Sequence, residues 1–407
     1  MNEDESSTQT LLITLTGPDR TGVTARLFAV LAAHPVQVVD VEQVVIRSRL
    51  VLGALVSHAD TADLGAIRDT VSEAAAELDM DVEFAPGTGN GEPERSGPLH
   101  VTVLGDPLVP AAMAGIAGRI AECGANIDRI VRLSHYPVTS LELEVSGAEP
   151  ERLRVELAAE AVTQQVDVAV QRSGLHRKAK RLVVMDVDST LIQGEVIELL
   201  AEHAGCAKEI ARVTESAMRG ELDFEQSLRQ RVALLEGLDA SVLDEVRDKL
   251  QLTPGARTLV RTLKRLGYEF AIVSGGFTQI TDGLVDRLGI DYTAANLLEV
   301  VDGKLTGRLL GPIVDRPGKA DALERFAEQA EVPLSQAVAI GDGANDLDMI
   351  SRAGLGIAFN AKPVLREAAD TAVNVPYLDA ILFMLGISRE EIEAADAEDT
   401  SDAAWIG

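Results

Sequence analysis

Four uninterrupted apolar residues, Leu182, Val183, Val184 and Met185, run directly into Asp186-Val187-Asp188. A run of this kind reads as a strand covered on both faces, as in a parallel sheet flanked by helices. In such sheets ligands bind in the crevice beyond the carboxyl ends of the strands. The chain therefore delivers two carboxylates, alternate along a strand, to the edge where chemistry is done. Side chains two apart on a strand share a face, so both carboxylates can address one ligand. A carboxylate pair there is costly unless something cationic joins it. A metal-assisted site is the expectation, with its other parts further along the chain.

With 407 residues the chain is long enough for two to three domains. A formal net charge of −28 makes nucleic acid and anionic membrane surfaces poor partners. Cys123 and Cys206 lack metal-ligand spacing and read as buried thiols rather than a disulfide framework. The opening M-N-E-D-E-S-S-T-Q-T has no apolar segment of the signal-peptide kind, and no apolar run approaches a membrane span. A soluble, cytoplasmic protein is expected.

Residues 1–85 carry a strand-like run at Leu11 to Thr16, a turn Gly17-Pro18-Asp19-Arg20-Thr21-Gly22 in which Asp19 is a helix-start candidate, and a helical stretch Val23 to Ala33. Strand patterns at Val36–Val45 and Leu50–Val56, a helix near Thr61–Leu78 and a short strand at Asp81–Phe84 complete a βαββαβ order, the ferredoxin-like arrangement. Residues 86–97 are linker-like by their Gly and Pro content. A second unit, 98–170, repeats the order: Gly17 to Gly105 and Asp40 to Asp128 are equally far apart. The basic stretch Gln171–Lys180 precedes the remainder, 181–388, and the acidic residues 389–407 are expected to be disordered.

Beyond Asp188 a helical insertion, about 195–250, is placed to cover the crevice. A second buried strand, Tyr268 to Val273, ends in Ser274-Gly275-Gly276, where small residues let backbone N–H groups approach an anion. Pro317-Gly318-Lys319 puts a lysine at a helix start, suited to a phosphate oxygen. A third buried strand, Ala337 to Ile340, ends in Gly341-Asp342-Gly343-Ala344-Asn345-Asp346. Hard oxygen ligands of this type favour Mg²⁺.

The tandem units resemble ACT domains, most closely at G-P-D-R-T-G, Gly17 to Gly22. That resemblance implies amino-acid binding, with Gly17, Asp19 and Arg20 in the first unit and Gly105 and Asp106 in the second as effector-site candidates. The second unit departs from the pattern, with Gly105-Asp106-Pro107 in place of G-P-D-R. In their order, D-x-D-S-T, S-G-G, K and G-D-G-x-N-D match the motif set of the haloacid dehalogenase superfamily. Glu195 and F-E-Q-S-L-R-Q-R, Phe224 to Arg231, resemble the phosphoserine phosphatases within it. The implied fold is α/β, a doubly wound parallel sheet with a helical cap, preceded by two ferredoxin-like ACT domains.

The resemblance implies hydrolysis of O-phospho-L-serine, with Asp186 as nucleophile and Asp188 as acid–base. Mg²⁺ would be held by Asp186, Asp342 and the Asp188 carbonyl, with Asp346 in support. Ser274, Gly275 and Lys319 would contact the phosphate end of the substrate, Glu195 and Arg231 its ammonium and carboxylate, and Met218 and Phe224 the apolar side, with Asn345 a further substrate contact. L-serine is the implied product and effector, and a homodimer the implied assembly. The alternative is a phosphatase or phosphotransferase of the same superfamily acting on another small phosphomonoester.

Overall fold

The computed structural model describes residues 9–59, 63–88, 98–174, 177 and 179–398, and the chain divides into two compact units, 1–95 and 96–407. The first unit holds β1 (Gln9–Pro18), α1 (Val23–Leu31), β2 (Val36–Ile46), β3 (Arg49–His58), α2 (Leu64–Glu77) and β4 (Asp81–Thr88). Its antiparallel sheet has the order β2-β3-β1-β4. Alternate residues of β1 and β3, such as Leu11, Ile13, Leu52 and Ala54, bury one face against Val23, Leu27, Ile67 and Val71 of the helices. Asp19 does not begin α1; Gly22 does so at φ 93, a left-handed conformation that glycine adopts without strain. Pro86 and Gly87, expected in the linker, extend β4 in register with Leu11 and Thr10. Thr88 ends β4 opposite Gln9, and residues 89–97 of that linker lie outside the described residues.

The second unit opens with the same order, β5 (Leu99–Gly105), α3 (Pro110–Glu122), β6 (Asn126–Ser134), β7 (Thr139–Ser146), α4 (Pro150–Gln164) and β8 (Asp167–Arg172). Next comes β9 (Leu182–Asp186), with every residue buried. Helices α5 (Val196–Ala204), α6 (Ala207–Met218), α7 (Phe224–Ala233) and α8 (Ser241–Lys249) form the insertion, followed by α9 (Ala256–Arg265). The remaining elements that position the site are β10 (Glu269–Phe277), α10 (Thr278–Leu288), β11 (Tyr292–Val301), β12 (Lys304–Leu310), α11 (Arg316–Gln329), β13 (Ala337–Gly341), α12 (Leu347–Arg352), β14 (Leu355–Phe359), α13 (Pro363–Ala368) and β15 (Thr371–Val373). α14 (Ala380–Met384) and α15 (Arg389–Glu398) end the described chain.

β10, β9, β13, β14 and β15 lie side by side and parallel. β9 sits between β10 and β13, so chain connections leave it in both directions, which opens a crevice at its carboxyl end. Both faces are covered: Val183 and Met185 point into one apolar cluster, Leu182 and Val184 into another. That two-sided burial explains the unbroken apolar run, each buried side chain contributing about 1.5–3 kcal/mol.

The second ferredoxin-like unit is not separate from this sheet. β15 pairs antiparallel with β8, making one sheet of eleven strands. Leu104, Leu133, Val138 and Ala169 share a core with the α/β part. The stretch expected to be disordered from Arg389 begins instead with α15, where Ile392 is buried and Asp396 pairs with Arg261. Cys123 and Cys206, expected as buried thiols, are half-buried and not disulfide-bonded. Among the described residues no helix is long and apolar enough to cross a membrane.

Candidate active site

The strand ends converge as the burial pattern dictates. Asp186 closes β9, and the Val187 N–H donates to its Oδ1 at 2.8 Å. The chain then turns sharply through Ser189, which takes a left-handed φ of 58. In this turn the Asp188 carboxylate accepts from the Val196 N–H at 2.8 Å and the Ser274 hydroxyl at 3.2 Å. Ser274 in turn accepts from the Gly276 N–H at 2.7 Å. The two small residues of β10 thus bring a strand end against the acid–base candidate.

α11 starts at an Asp315 N-cap, whose carboxylate accepts from the Gly318 N–H at 2.9 Å, with Pro317 in the first turn. This places Lys319 under the cavity floor, where its Nζ lies 2.6 Å from Asp186 and 2.7 Å from Asp346. The second Asp346 oxygen accepts from the N–H groups of Asp342, at 3.1 Å, and Gly343, at 3.0 Å. Asp346 fits there only because residue 341 is glycine: a Cβ would stand 2.4 Å from the Asp346 carboxyl carbon.

Oxygen atoms of Asp186, Asp342 and Asp346 lie within 4.8 Å of one another. Burial pushes the Asp186 carboxyl well above its ordinary range, and the neighbouring Asp346 charge pushes it further. Asp342 is raised to about 6, by burial first and the Asp346 charge second. Lys319 is stripped of water, yet the two carboxylates outweigh that cost and hold its ammonium above the ordinary value. One buried cation among these carboxylates leaves an excess of negative charge. The hard oxygen set suits a divalent cation such as Mg²⁺. Asp188 is also raised by burial, against the hydrogen bond from the Val196 N–H.

A cavity of about 440 Å³ opens over this floor, lined in part by Asp186, Asp188, Gly275, Asp342 and Asn345. Its far wall comes from the helical insertion: Glu195, Phe224, Leu228 and Arg231. An Asp223–Gln226 capping box starts α7, fixing the helix that carries Arg231 one face inward. Arg231 Nη1 stands 3.9 Å from Glu195 Oε2, and its Nε donates to the Ser227 carbonyl at 3.4 Å. The Met218 side chain lies outside the described residues.

Two further residues position the site, one unmarked in the sequence and one inside the D-x-D-S-T motif. Asn296 is buried in β11; its Nδ2 donates to the Gly275 carbonyl at 2.9 Å and its Oδ1 accepts from the Val314 N–H at 2.8 Å. Thr190, the T of D-x-D-S-T, donates its hydroxyl to Asp342 at 3.4 Å, while its carbonyl accepts from Thr253 at 2.7 Å. Only long-range pairing brings these partners together, so no local pattern could have marked Asn296.

The effector candidates are placed differently. Gly17 lies within β1, and a Cβ there would stand 2.4 Å from the Met80 sulfur. Arg20 pairs with Asp79 at 3.2 Å on an exposed surface, and the Asp19 N–H donates to Ser48. Gly105 and Asp106 line a separate cavity of about 800 Å³ between α4 and α13.

Residues 183–351 match the family model of haloacid dehalogenase-like hydrolases, and residues 9–85 and 99–171 each match an ACT domain model. The chain is 62% identical to the phosphoserine phosphatase of Streptomyces coelicolor over 98% of its own length and 97% of the relative's. It is 53% identical to the phosphoserine phosphatase SerB2 of Mycobacterium tuberculosis, over 96% of each chain. Among solved structures, a haloacid dehalogenase family hydrolase from Salmonella enterica serovar Typhi aligns over 72% of this chain and 99% of its own, with TM-score 0.61 at 27% identity. A probable phosphoserine phosphatase from Vibrio cholerae aligns over 73% and 88%, with TM-score 0.56 at 37% identity.

Proposed function

Because the chain belongs to the phosphoserine phosphatase family of haloacid dehalogenase-like hydrolases, with two N-terminal ACT domains, we propose that it hydrolyses O-phospho-L-serine to L-serine and phosphate. The observation that carries this reading is the pairing of Glu195 and Arg231 across 3.9 Å on the wall facing Asp186 and Asp188. One charge suits an α-ammonium and the other an α-carboxylate, and both stand over groups suited to phosphoryl transfer.

In this reading Asp186 attacks phosphorus in line, its Oδ forming the new P–O bond of an aspartyl-phosphate while the serine oxygen leaves. Asp188, raised by burial and oriented by Ser274 and the Val196 N–H, gives the departing oxygen its proton. It then takes a proton from the water that opens the acyl-phosphate. Ser274, the Gly275 N–H and Lys319 hold phosphate oxygens as charge spreads over them. Asp186, Asp342 and the Asp188 carbonyl are the proposed holders of Mg²⁺, with Asp346 bracing them; when bound, the ion offsets repulsion between nucleophile and phosphate. Arg231 presents a planar fork to the substrate carboxylate. Phe224 and Leu228 exclude water, and Met218 is assigned to the same apolar side.

L-serine, as product, is the proposed effector of the ACT domains, near Gly17–Arg20 or Gly105–Asp106, and the proposed assembly is a homodimer. One assay tests the core of the reading: phosphate release from phosphoserine, phosphothreonine and sugar phosphates, with and without Mg²⁺, titrated with L-serine. Preference for phosphoserine that needs Mg²⁺ is the expected outcome. Equal rates on all esters would remove the substrate assignment, and insensitivity to L-serine the regulatory one.

A further inference from the structure

The active-site cavity carries a cation that the reaction above leaves unused. Lys362 lies between β14 and α13 and lines the same cavity as Asp186, Asp188 and Asp342. Its backbone is held from several directions. Asn360, at a left-handed φ of 44, bends the chain, and its N–H donates to the Val373 carbonyl at 2.8 Å. The Lys362 N–H donates to the Asp342 carbonyl at 3.0 Å, tying the residue to the loop that carries this carboxylate. Pro363 follows at the first turn of α13 and keeps Lys362 extended, at φ −62 and ψ 150.

The side chain is in the opposite condition. Lys362 is exposed, and among the described residues its ammonium takes part in no ion pair or hydrogen bond. Lys319 differs on each count: it is fully buried, and its charge is already shared between Asp186 and Asp346. Of the other cations lining the cavity, Arg316 is paired with Asp348 and Arg231 stands beside Glu195, so Asp186, Asp188 and Asp342 repel an approaching dianion. A tethered cation on the wall of that cavity, which forms no ion pair and acts on Asp342 only through space, offsets part of this repulsion.

We propose that Lys362 is a second phosphate-binding cation, which draws the phosphate group of the substrate into the cavity and holds free phosphate before it leaves. The proposal rests on the phosphatase reading. It assigns Lys362 to capture and release, and Lys319 to the bond-changing step.

The test compares the full chain with K362M and K362R. In K362M, KM for phosphoserine and the inhibition constant for inorganic phosphate both rise about tenfold, while kcat moves by less than about threefold. K362R restores most of both. Because the side chain is exposed, melting temperatures of the three proteins agree, which separates loss of charge from loss of fold. Unchanged KM and unchanged phosphate inhibition in K362M would overturn the proposal, as would a fall confined to kcat. A readout without turnover keeps the two readings apart: inorganic phosphate raises the melting temperature of the unaltered protein and not that of K362M. If phosphoserine is not hydrolysed at all, the reaction assignment fails, whereas this thermal comparison still decides the role of Lys362.

Discussion

Lys319 Nζ and Asp186 Oδ1 meet at 2.6 Å, both buried, so the proposed nucleophile is paired with a cation before any substrate arrives. The same ammonium reaches Asp346 at 2.7 Å, within the same carboxylate cluster. Such a lysine has two roles that mutation separates: it compensates buried charge in the resting protein, and in the proposed reaction it donates to phosphate. K319M is expected to lose at least about 100-fold in kcat, the scale of removing one preorganised donor. It also leaves Asp186 and Asp346 uncompensated, so its melting temperature falls in chelator and recovers partly as Mg²⁺ is added. Differential scanning fluorimetry with and without the ion reads this directly; a fall that Mg²⁺ does not touch would count against the cluster as its binding place.

Arg231 and Glu195 stand 3.9 Å apart, a loose contact that leaves both groups available. R231A is expected to raise KM for phosphoserine by about 10-fold to 100-fold, the loss of a bidentate carboxylate contact. For a phosphate ester with no carboxylate, such as p-nitrophenyl phosphate, the change stays below about threefold. Equal losses on the two substrates would remove the carboxylate-clamp role.

Asn296 ties β11 to the Gly275 carbonyl and to the Val314 N–H, so it fixes the S-G-G segment beside the proposed phosphate position. N296L fills similar space but strands both partners, costing about 1–3 kcal/mol for each. A lowered melting point with kcat reduced about tenfold is the expected pair of results in the purified variant. A lowered melting point with full kcat would make Asn296 structural only.

Much of this arrangement is legible in the sequence because it is local. The unbroken run Leu182–Met185 marks a strand buried on both faces, and D-x-D-S-T, S-G-G and G-D-G-x-N-D sit at the carboxyl ends of such strands, with Lys319 at a helix start. The Asp223–Gln226 box marks the start of α7 for the same reason. Asn296 and the β8–β15 pairing are different in kind. Asn296 is one polar residue in a strand, and its value comes from partners that only the sheet brings near. β15 has three residues, too short to show periodicity, and its partner strand precedes it by some 200 positions. α15 was hidden by its own composition: an acidic, small-residue stretch with Ile392 as its only buried apolar anchor, held further by Arg261 on Asp396.

Glu142 of β7 accepts from Arg177 and lies 3.1 Å from His100 Nδ1. Burial alone would raise this carboxyl, but hydrogen bonds from His100 and Arg177 outweigh it and bring its pKa from 4.5 to about 2. A depressed folded-state pKa stabilises the fold above the unfolded value, and that contribution is lost as pH falls toward the folded value. E142Q is therefore expected to melt lower than the unaltered protein above pH 4.5, with the gap closing as pH approaches about 2. Thermal melts across this window check the sign; a gap that widens on acidification would contradict it.

The seam between β8 and β15 ties the second ferredoxin-like unit to the α/β part. Asn374 donates to both Asp167 oxygens, at 2.6 and 2.7 Å, and Gln171 donates to the Met384 carbonyl at 2.7 Å. Leu104, Leu133 and Val138 of the second ferredoxin-like unit pack in the same cluster as Ile381 and Phe383. A fragment of residues 179–398 would lose these partners, expose an apolar face, and leave β15 as an open sheet edge ready to pair with another chain. At about 1.5–3 kcal/mol for each large side chain uncovered, the loss is a large share of the stability of a typical domain. The fragment is thus expected to melt about 10 °C or more below residues 98–398, and to self-associate in sedimentation at micromolar concentration. Equal melting of the two fragments, with both monomeric, would mean that the shared sheet adds contact without adding stability.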